Sequence, residues 1–417
     1  MHDFKYKNGE LYCESVKVST IAHKVGTPCY IYSHHTLVDH FTKIKRAFAK
    51  LEPLICYAMK ANDNLAVLRT LHREGAGFDI VSVGELKKAL KIGADPKKIV
   101  FASVGKTEEE IIAAIRAGIL LFNVESQPEL EHINRIAGKM RKNVQAALRI
   151  NPDIEAPTHA KITTGSLKNK FGIDLKTSKK ILKSRQRYAN LTINGIHIHI
   201  GSQITVGAPF VKAVRRAVRF IGELDIEGIS IQYLDIGGGL GIIYKNERPQ
   251  TAAQYAQKIV PLLEKTGLRL IMEPGRFIAG NAGIFVTRKL YLKDNGVKKF
   301  MIVDGGMNDL VRPSLYDAYH EIVPLRRNAS RNVRVDVVGP ICESGDVFAK
   351  DRLVANVKDG ELLAIMSAGA YGYVMSSNYN VRGRGPEIIV KGNRYAVTKP
   401  RETFEDLIRG EKVPDFI

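Results

Sequence analysis

Between residues 54 and 273 the chain alternates short β-rich runs with amphipathic helical segments, and no other feature restricts its fold as strongly. The runs are LICYAM (54–59), FDIV (78–81), IVFAS (99–103), LLFNV (120–124), QAALRI (145–150), INGIHIHI (193–200), IQYLDI (231–236) and LRLIME (268–273). The first is a continuous apolar stretch, the pattern of a parallel strand buried on both faces. Segments such as NLAVLRTLHREG, VGELKKALKIG, TEEEIIAAIRAG and QPELEHINRIAG separate the strands. Eight βα units over this length predict an α/β fold with a closed TIM-type (β/α)8 barrel rather than an open sheet. After about residue 284 the rhythm changes to strand-like runs with turn residues between them, among them IFVTRKLYLKD, KKFMIVDGG, RVDVVGPIC, ELLAIMS and RYAVTK. They predict a C-terminal β-rich domain. The opening KNGELYCESVKVSTIAHKVGTPCYIYS is also strand-like and is expected to join it. The expected organisation is an N-terminal segment 1–35 packed with the β domain, a barrel over 36–284 and the β domain over 285–417.

Bulk properties narrow the function classes. The 417 residues are 45% hydrophobic and 25% charged, an ordinary globular composition. No apolar run approaches the ~20 residues needed to span a bilayer, and MHDFKYKNGE lacks a signal-peptide core, so a soluble cytoplasmic protein without a membrane partner is expected. Cys13, Cys29, Cys56 and Cys342 match no disulfide or metal spacing and read as free thiols in a reducing compartment, with no metal site. The net charge of +20 comes largely from helix-like basic pairs, as in KKALKIGADPKK and KTSKKILKSRQR. No nucleic-acid motif or aromatic stacking pattern accompanies them, so they read as a solvated surface that attracts small anions rather than nucleic acid.

In a TIM barrel the active site is built at the C-terminal strand ends. Those positions hold Lys60, Asp79, Ser103, Glu125, Asn151, His199, Gly237–Gly239 and Glu273. A lysine ending a buried strand is most often a solvated terminus; three nearby stretches argue for more. LDIGGGLG (234–241) puts glycines at a strand-to-helix turn, where backbone N–H groups can approach a phosphate. HIHIGSQ (197–203) places His197 and His199 on the same side of a strand, as core histidines or as an imidazole that stacks on an aromatic ring. MEPGRF (272–277) brings a carboxylate, a Pro-Gly turn and Arg276, a partner for a ring nitrogen and a clamp for an anion. Lysine, phosphate cradle, stacking imidazole and carboxylate together describe a pyridoxal 5'-phosphate site with Lys60 as the Schiff-base lysine.

YAMKAN, HIHIGSQ, DIGGGLG, EPGR, PSLYDAYH and GPICESGD stand in that order along the chain. With these motifs the whole sequence resembles the diaminopimelate decarboxylases of the alanine racemase-like fold. The resemblance implies a cofactor-binding barrel joined through an N-terminal strand to a β domain, and decarboxylation of meso-diaminopimelate to L-lysine and CO2, the last step of lysine biosynthesis. It further implies a homodimer with shared active sites. By position it assigns Lys60 and Cys342 to catalysis. It places Lys60, Asp79, His199 (stacked on the ring), Ser202, Gly238, Gly239, Glu273 (on the ring nitrogen), Gly275, Arg276 and Tyr371 around the cofactor. It places Arg276, Arg312, Tyr316, Glu343 and Tyr371 around the substrate, with Glu343 on the distal amino group and Cys342 supplied by the other subunit as proton donor.

Chemistry supports these roles. Loss of carboxylate leaves an electron pair on carbon that an acid must protonate, and a thiol near charged groups exchanges protons close to neutrality. Arg312 and Glu343 offer opposite charges to a zwitterionic distal end. An ornithine- or arginine-type decarboxylase would need no arginine for a distal carboxylate. An alanine racemase would place an arginine where Glu273 stands. A cofactor carrier or inactive regulator would be expected to lack the Cys342 loop or Lys60. The stretch ITTGSLKNKFG (162–172) reads as a loop able to close over the site.

Overall fold

The eight apolar runs become the eight strands of a closed parallel barrel in the computed structural model, which describes residues 2–154, 170–327 and 331–417. The strands are β1 (Leu54–Ala58), β2 (Gly77–Ile80), β3 (Ile99–Phe101), β4 (Leu121–Val124), β5 (Val144–Arg149), β6 (Leu191–His197), β7 (Tyr233–Asp235) and β8 (Arg269–Met272). Pairing of Ile271 with Leu54 closes the ring. The barrel lies in a compact unit made of Val38–Ile243 and Glu247–Ile278.

Side-chain caps start most of the helices that follow these strands. Asn64, Ser82, Thr107, Ser126, Asp174 and Thr251 each accept a hydrogen bond from the first turn of the next helix. Such caps satisfy backbone donors that would otherwise be orphaned and hold the helix starts in place, which fixes where the strand-exit side chains sit. The strand period of two then sorts the residues into layers. Cys56, Val100, Leu121, Ala147, Tyr233 and Ile271 form an apolar floor inside the barrel. Two residues further along their strands, Asn123, Arg149, Asp235 and Glu273 are polar and buried. The alternate positions carry Phe78, Phe101 and Phe122, which are completely or almost completely buried. Each such phenylalanine contributes roughly 1.5–3 kcal/mol by burial.

The second unit comprises Met1–Leu37, Tyr244–Asn246 and Ala279–Ile417. Its main sheet runs in the order Val347–Ala355, Asn332–Val338, Lys299–Val303, Gly283–Asp294, Cys29–Ser33, Glu387–Lys391, Arg394–Lys399. The N-terminal strand Cys29–Ser33 thus lies between two C-terminal strands, antiparallel to Gly283–Asp294 and parallel to Glu387–Lys391. Leu362–Ile365 pairs with both Gly283–Asp294 and Ile322–Pro324.

Two local features depart from the sequence expectation. The opening segment is not wholly extended: Val18–Val25 is a helix whose Val18, Ile21 and Ala22 are buried. Its β-branched residues favour strand locally, but the i, i+3, i+4 spacing lets one helical face pack into the apolar cluster around Leu11 and Ile31. The strand Val347–Ala355 was not expected, because Lys350, Asp351 and Arg352 interrupt its apolar pattern. There Asp351 takes a positive φ of 45° next to a register shift against Asn332–Val338, so an irregularity carries the charged residues.

Candidate active site

Lys60 leaves β1 on the short turn Met59–Ala61, whose other two residues are buried. Its Nζ lies 2.5 Å from Asp79 Oδ2 at the end of β2, so it is not a free solvated terminus. Asp79 is fully buried, whereas the lysine side chain keeps 37% of its exposure and is the accessible half of the pair. Burial pushes the Asp79 carboxyl up to about 7, helped by the Glu273 charge and opposed by the Lys60 ammonium.

Glu273 stands just beyond β8. Its Oε1 accepts from Asn123 Nδ2 at 3.0 Å, and its Oε2 lies 3.4 Å from His197 Nε2. Burial raises the Glu273 carboxyl, but His197, Lys60 and a hydrogen bond from Asp235 outweigh it and hold the group well below the ordinary carboxylate range. Asp235, at the end of β7, behaves in the opposite way. Burial and the neighbouring Glu273 charge push it far up, against hydrogen bonds from Gly237 N and Asn123. The surroundings thus drive the pair apart, Glu273 toward its anion and Asp235 toward its acid form. His197, Asp235 and Glu273 bring ligand-type atoms within 4.8 Å of one another. Asn123 turns its N–H group toward both carboxyls, an arrangement suited to proton sharing and poorly suited to a cation.

His199 is half-buried, and its Nδ1 accepts from Gly238 N at 3.2 Å. Loss of hydration together with the charges of Arg149 and Lys60 lowers its pKa well below the usual value, leaving a neutral ring. Gly238 N binding also ties the histidine to the glycine turn. That turn is tightly built: Gly237 and Gly239 have φ of +64° and +104°. A Cβ on Gly238 would lie 2.2 Å from Glu273 O, and one on Gly239 would lie 2.5 Å from Gly201 O. Only glycine permits the three loops after β6, β7 and β8 to approach so closely. Ile204 N donates to Gly239 O, Gly241 N to Ile204 O, and Gln203 exchanges side-chain bonds with the Ile242 backbone. Arg276 donates through Nε and Nη2 to Ser202 Oγ at 3.3 and 3.2 Å. At Gly275 a Cβ would meet Ala61 and Ala58 at 3.0 and 3.1 Å, so this glycine brings the Arg276 turn against the exit of β1.

The barrel thus gathers Lys60, Asp79, His199, Ser202, Gly238, Gly239, Glu273, Gly275 and Arg276 on its strand exits, within one unit. Glu125 has a supporting task instead. It accepts from Arg149 at 2.7 Å and from Gly172 N at 3.2 Å. Ser103, with φ of +104°, and Asn123 offer backbone carbonyls to the buried ammonium of Lys106, which also pairs with Glu129 at 2.6 Å. Asn123, Asp235, Arg149 and Lys106 did not emerge from the strand-exit positions. The first three are polar residues inside otherwise apolar strands, a signal that could have marked them.

Arg312, Tyr316, Cys342, Glu343 and Tyr371 belong to the β-rich unit. Arg312 and Tyr316 are the first and last residues of the helix Arg312–Tyr316, with Arg312 buried and its guanidinium 5.1 Å from the centre of the Tyr244 ring. Ser314 Oγ donates to Gly345 O at 2.6 Å, linking this helix to the loop that carries Cys342 and Glu343. Within that loop Asp346 accepts from Met307 N and Ile341 N, and Asn380 Oδ1 holds Cys342 N at 2.9 Å. Cys342 and Glu343 are exposed. Tyr371 adopts φ of +57°, a left-handed conformation unusual for an aromatic residue. The 162–172 loop lies outside the described residues except for its last three.

A lysine with an accessible amine, a carboxylate held as an anion, a neutral imidazole and a glycine cradle that any Cβ would fill fit pyridoxal phosphate. The comparisons agree. The sequence model of the family described as "Pyridoxal-dependent decarboxylase, pyridoxal binding domain" matches residues 34–280. The diaminopimelate decarboxylase of Aquifex aeolicus is 47% identical over 97% of this chain and 96% of its own length. That of Vibrio cholerae is 46% identical over 99% of both chains. The Helicobacter pylori diaminopimelate decarboxylase crystallised with L-lysine superposes with a TM-score of 0.90 at 40% identity, covering 94% of this chain and 98% of that one. The M. jannaschii enzyme, also with L-lysine, gives 0.94 at 37% identity over 99% and 98%. With a glycine-lined cradle beside a buried anion and likeness over nearly its whole length, this chain belongs to the diaminopimelate decarboxylase family of pyridoxal-dependent enzymes.

Proposed function

We infer that this protein decarboxylates meso-diaminopimelate to L-lysine and CO2, the closing step of lysine biosynthesis, with pyridoxal phosphate as cofactor. The observation that carries this reading is the set of six motifs on a full-length match, with a barrel site that puts a lysine amine and an anionic carboxylate within one glycine-bounded cluster. When bound, the cofactor supplies an electron sink for the pair left by the departing carboxyl group.

The chain's own residues supply the rest. Lys60 would hold the cofactor's aldehyde end, with Asp79 orienting the lysine amine. Gly238, Gly239, Ser202, Gly275 and Arg276 would hold the phosphate, His199 would pack on the ring, and Glu273 would accept a hydrogen bond from the protonated ring nitrogen. Arg276, Arg312 and Tyr316 take substrate carboxylate, Glu343 takes the distal amino group, and Tyr371 touches cofactor and substrate. Cys342 delivers the thiol proton to the carbon that lost CO2 and regains one from solvent. Cys342 comes from the second subunit of a homodimer in which each site draws on both chains, in the cytoplasm. Among the described residues no helix is long and apolar enough to cross a membrane.

The test is product analysis of purified protein incubated with pyridoxal phosphate and meso-diaminopimelate, with ornithine and arginine in parallel. Lysine and CO2 from the first substrate alone are expected. Turnover of ornithine or arginine instead would keep the fold and cofactor and overturn the specificity assigned to Arg312 and Glu343.

A further inference from the structure

Asp235 has no place in the chemistry above, yet it is a fully buried carboxyl next to Glu273, which has one. It ends β7, and Glu273 follows the adjacent β8. Asp235 pairs in register with Ile271, so Glu273 stands two residues further along and turns to the same side. Asp235 has 0% exposure and Glu273 5%. Asn123 Nδ2, from β4 across the barrel, donates to Asp235 Oδ2 at 3.2 Å and to Glu273 Oε1 at 3.0 Å.

Two carboxyls this close and this far from water do not both ionise. The surroundings decide which keeps the proton. Glu273 faces His197 at 3.4 Å and feels Lys60, both of which favour its anion. Asp235 has backbone Gly237 N and the Asn123 amide, and no cation bonded to it among the described residues. The other titratable or charged groups around the cluster are Cys56 on the barrel floor, Asp79 paired with Lys60, Arg149 paired with Glu125, and the neutral His199.

We propose that Asp235 is a positioning residue: it stays protonated, donates a hydrogen bond to Glu273, and with Asn123 fixes that carboxylate as a single oriented negative charge. This rests on the reading of Glu273 as the partner of the cofactor's ring nitrogen. The balance is one proton shared by two acids, so the site carries one negative charge to meet one ring N–H. A second ionised carboxyl would add a charge that no partner in the cluster matches. The direction of the electrostatic shifts on the two groups agrees.

The decisive experiment is infrared spectroscopy of the apo-protein, labelled with carbon-13 aspartate, at neutral pH. Protonated-carboxyl C=O absorption from labelled aspartate is expected, part of it from Asp79, and Asp235→Asn is expected to remove a component that Asp79→Asn leaves in place. If Asp235→Asn removes no such component, Asp235 is ionised and the proposal fails. Cofactor titration of the apo-protein supplies the second arm. Asp235→Asn is expected to bind pyridoxal phosphate within about threefold of wild type, because its amide can still donate to Glu273. Asp235→Ala removes the donor and is expected to weaken binding about tenfold at unchanged circular dichroism, the effect of one hydrogen bond to a charged group. Equal weakening by both variants would overturn the positioning role. Glu273→Gln separates the underlying reading: an unchanged cofactor absorbance spectrum would remove Glu273 from the ring nitrogen and leave the infrared result standing.

Discussion

Lys60 Nζ and Asp79 Oδ2 lie 2.5 Å apart, a partly exposed ammonium against a fully buried carboxylate. Asp79 therefore orients an amine that must stay reachable, and it does so from a position where its own charge is costly. Its pKa is raised from 3.8 to about 7. A carboxyl raised on folding contributes stability that is complete below the unfolded value and is lost as pH climbs through the folded one. Asp79→Asn cannot titrate. Compared with wild type, the apo form of this variant should gain thermal stability steadily between about pH 4 and 7. A parallel pH dependence of the two melting temperatures would show that Asp79 is ionised throughout.

Gly238→Ala tests the cradle. The new methyl would sit 2.2 Å from Glu273 O, a backbone atom that cannot swing aside. Overpacking of this kind costs about 1–3 kcal/mol, and here it pushes apart the loops after β7 and β8. The expected result is a lower melting temperature together with weaker pyridoxal phosphate binding by titration. Normal binding would show that the cradle has room the close approach denies.

Lys106 has a buried side chain with partners Ser103 O, Asn123 O and Glu129 Oε1. Lys106→Met keeps the volume but strands the Glu129 charge. Breaking one side of a buried pair costs about 3–5 kcal/mol. Thermal unfolding should register this as a large drop, and double replacement with Glu129→Gln should recover part of it.

Cys342→Ala should retain bound cofactor, seen in its absorbance, while turnover falls about 10²–10⁴-fold, the range of a lost general acid. Near-normal lysine production would exclude the thiol as proton donor.

Mixing Lys60→Ala chains with Cys342→Ala chains tests the shared sites. Each variant alone should be inactive or nearly so, and exchanged heterodimers should regain part of the activity because one of their sites carries both residues. Complete chain exchange without recovery would assign Lys60 and Cys342 to the same subunit.

Much of this site was legible in the chain because strand ends are legible. An apolar run that stops at Lys60, or at Glu273, announces both a buried strand and the residue that leaves it. The glycine run marks the turn where the backbones converge. Asn123 and Asp235 were harder to see for a physical reason. Each is one polar residue within an apolar strand, and its meaning depends on a partner 112 or 150 residues away in sequence.

The sequence by itself determined the barrel, through eight buried strands and their intervening helices, and the chemical character of the site, through residue types that only a strand exit could expose. Tertiary structure alone decided which acid carries the charge. Asp235 closes β7 and Glu273 follows β8, and residue type alone does not say which of the two carboxyls keeps its proton. Barrel closure puts His197 beside Glu273 and leaves Asp235 with only neutral donors bonded to it, so burial and proximity, rather than residue identity, make one the anion and the other the acid.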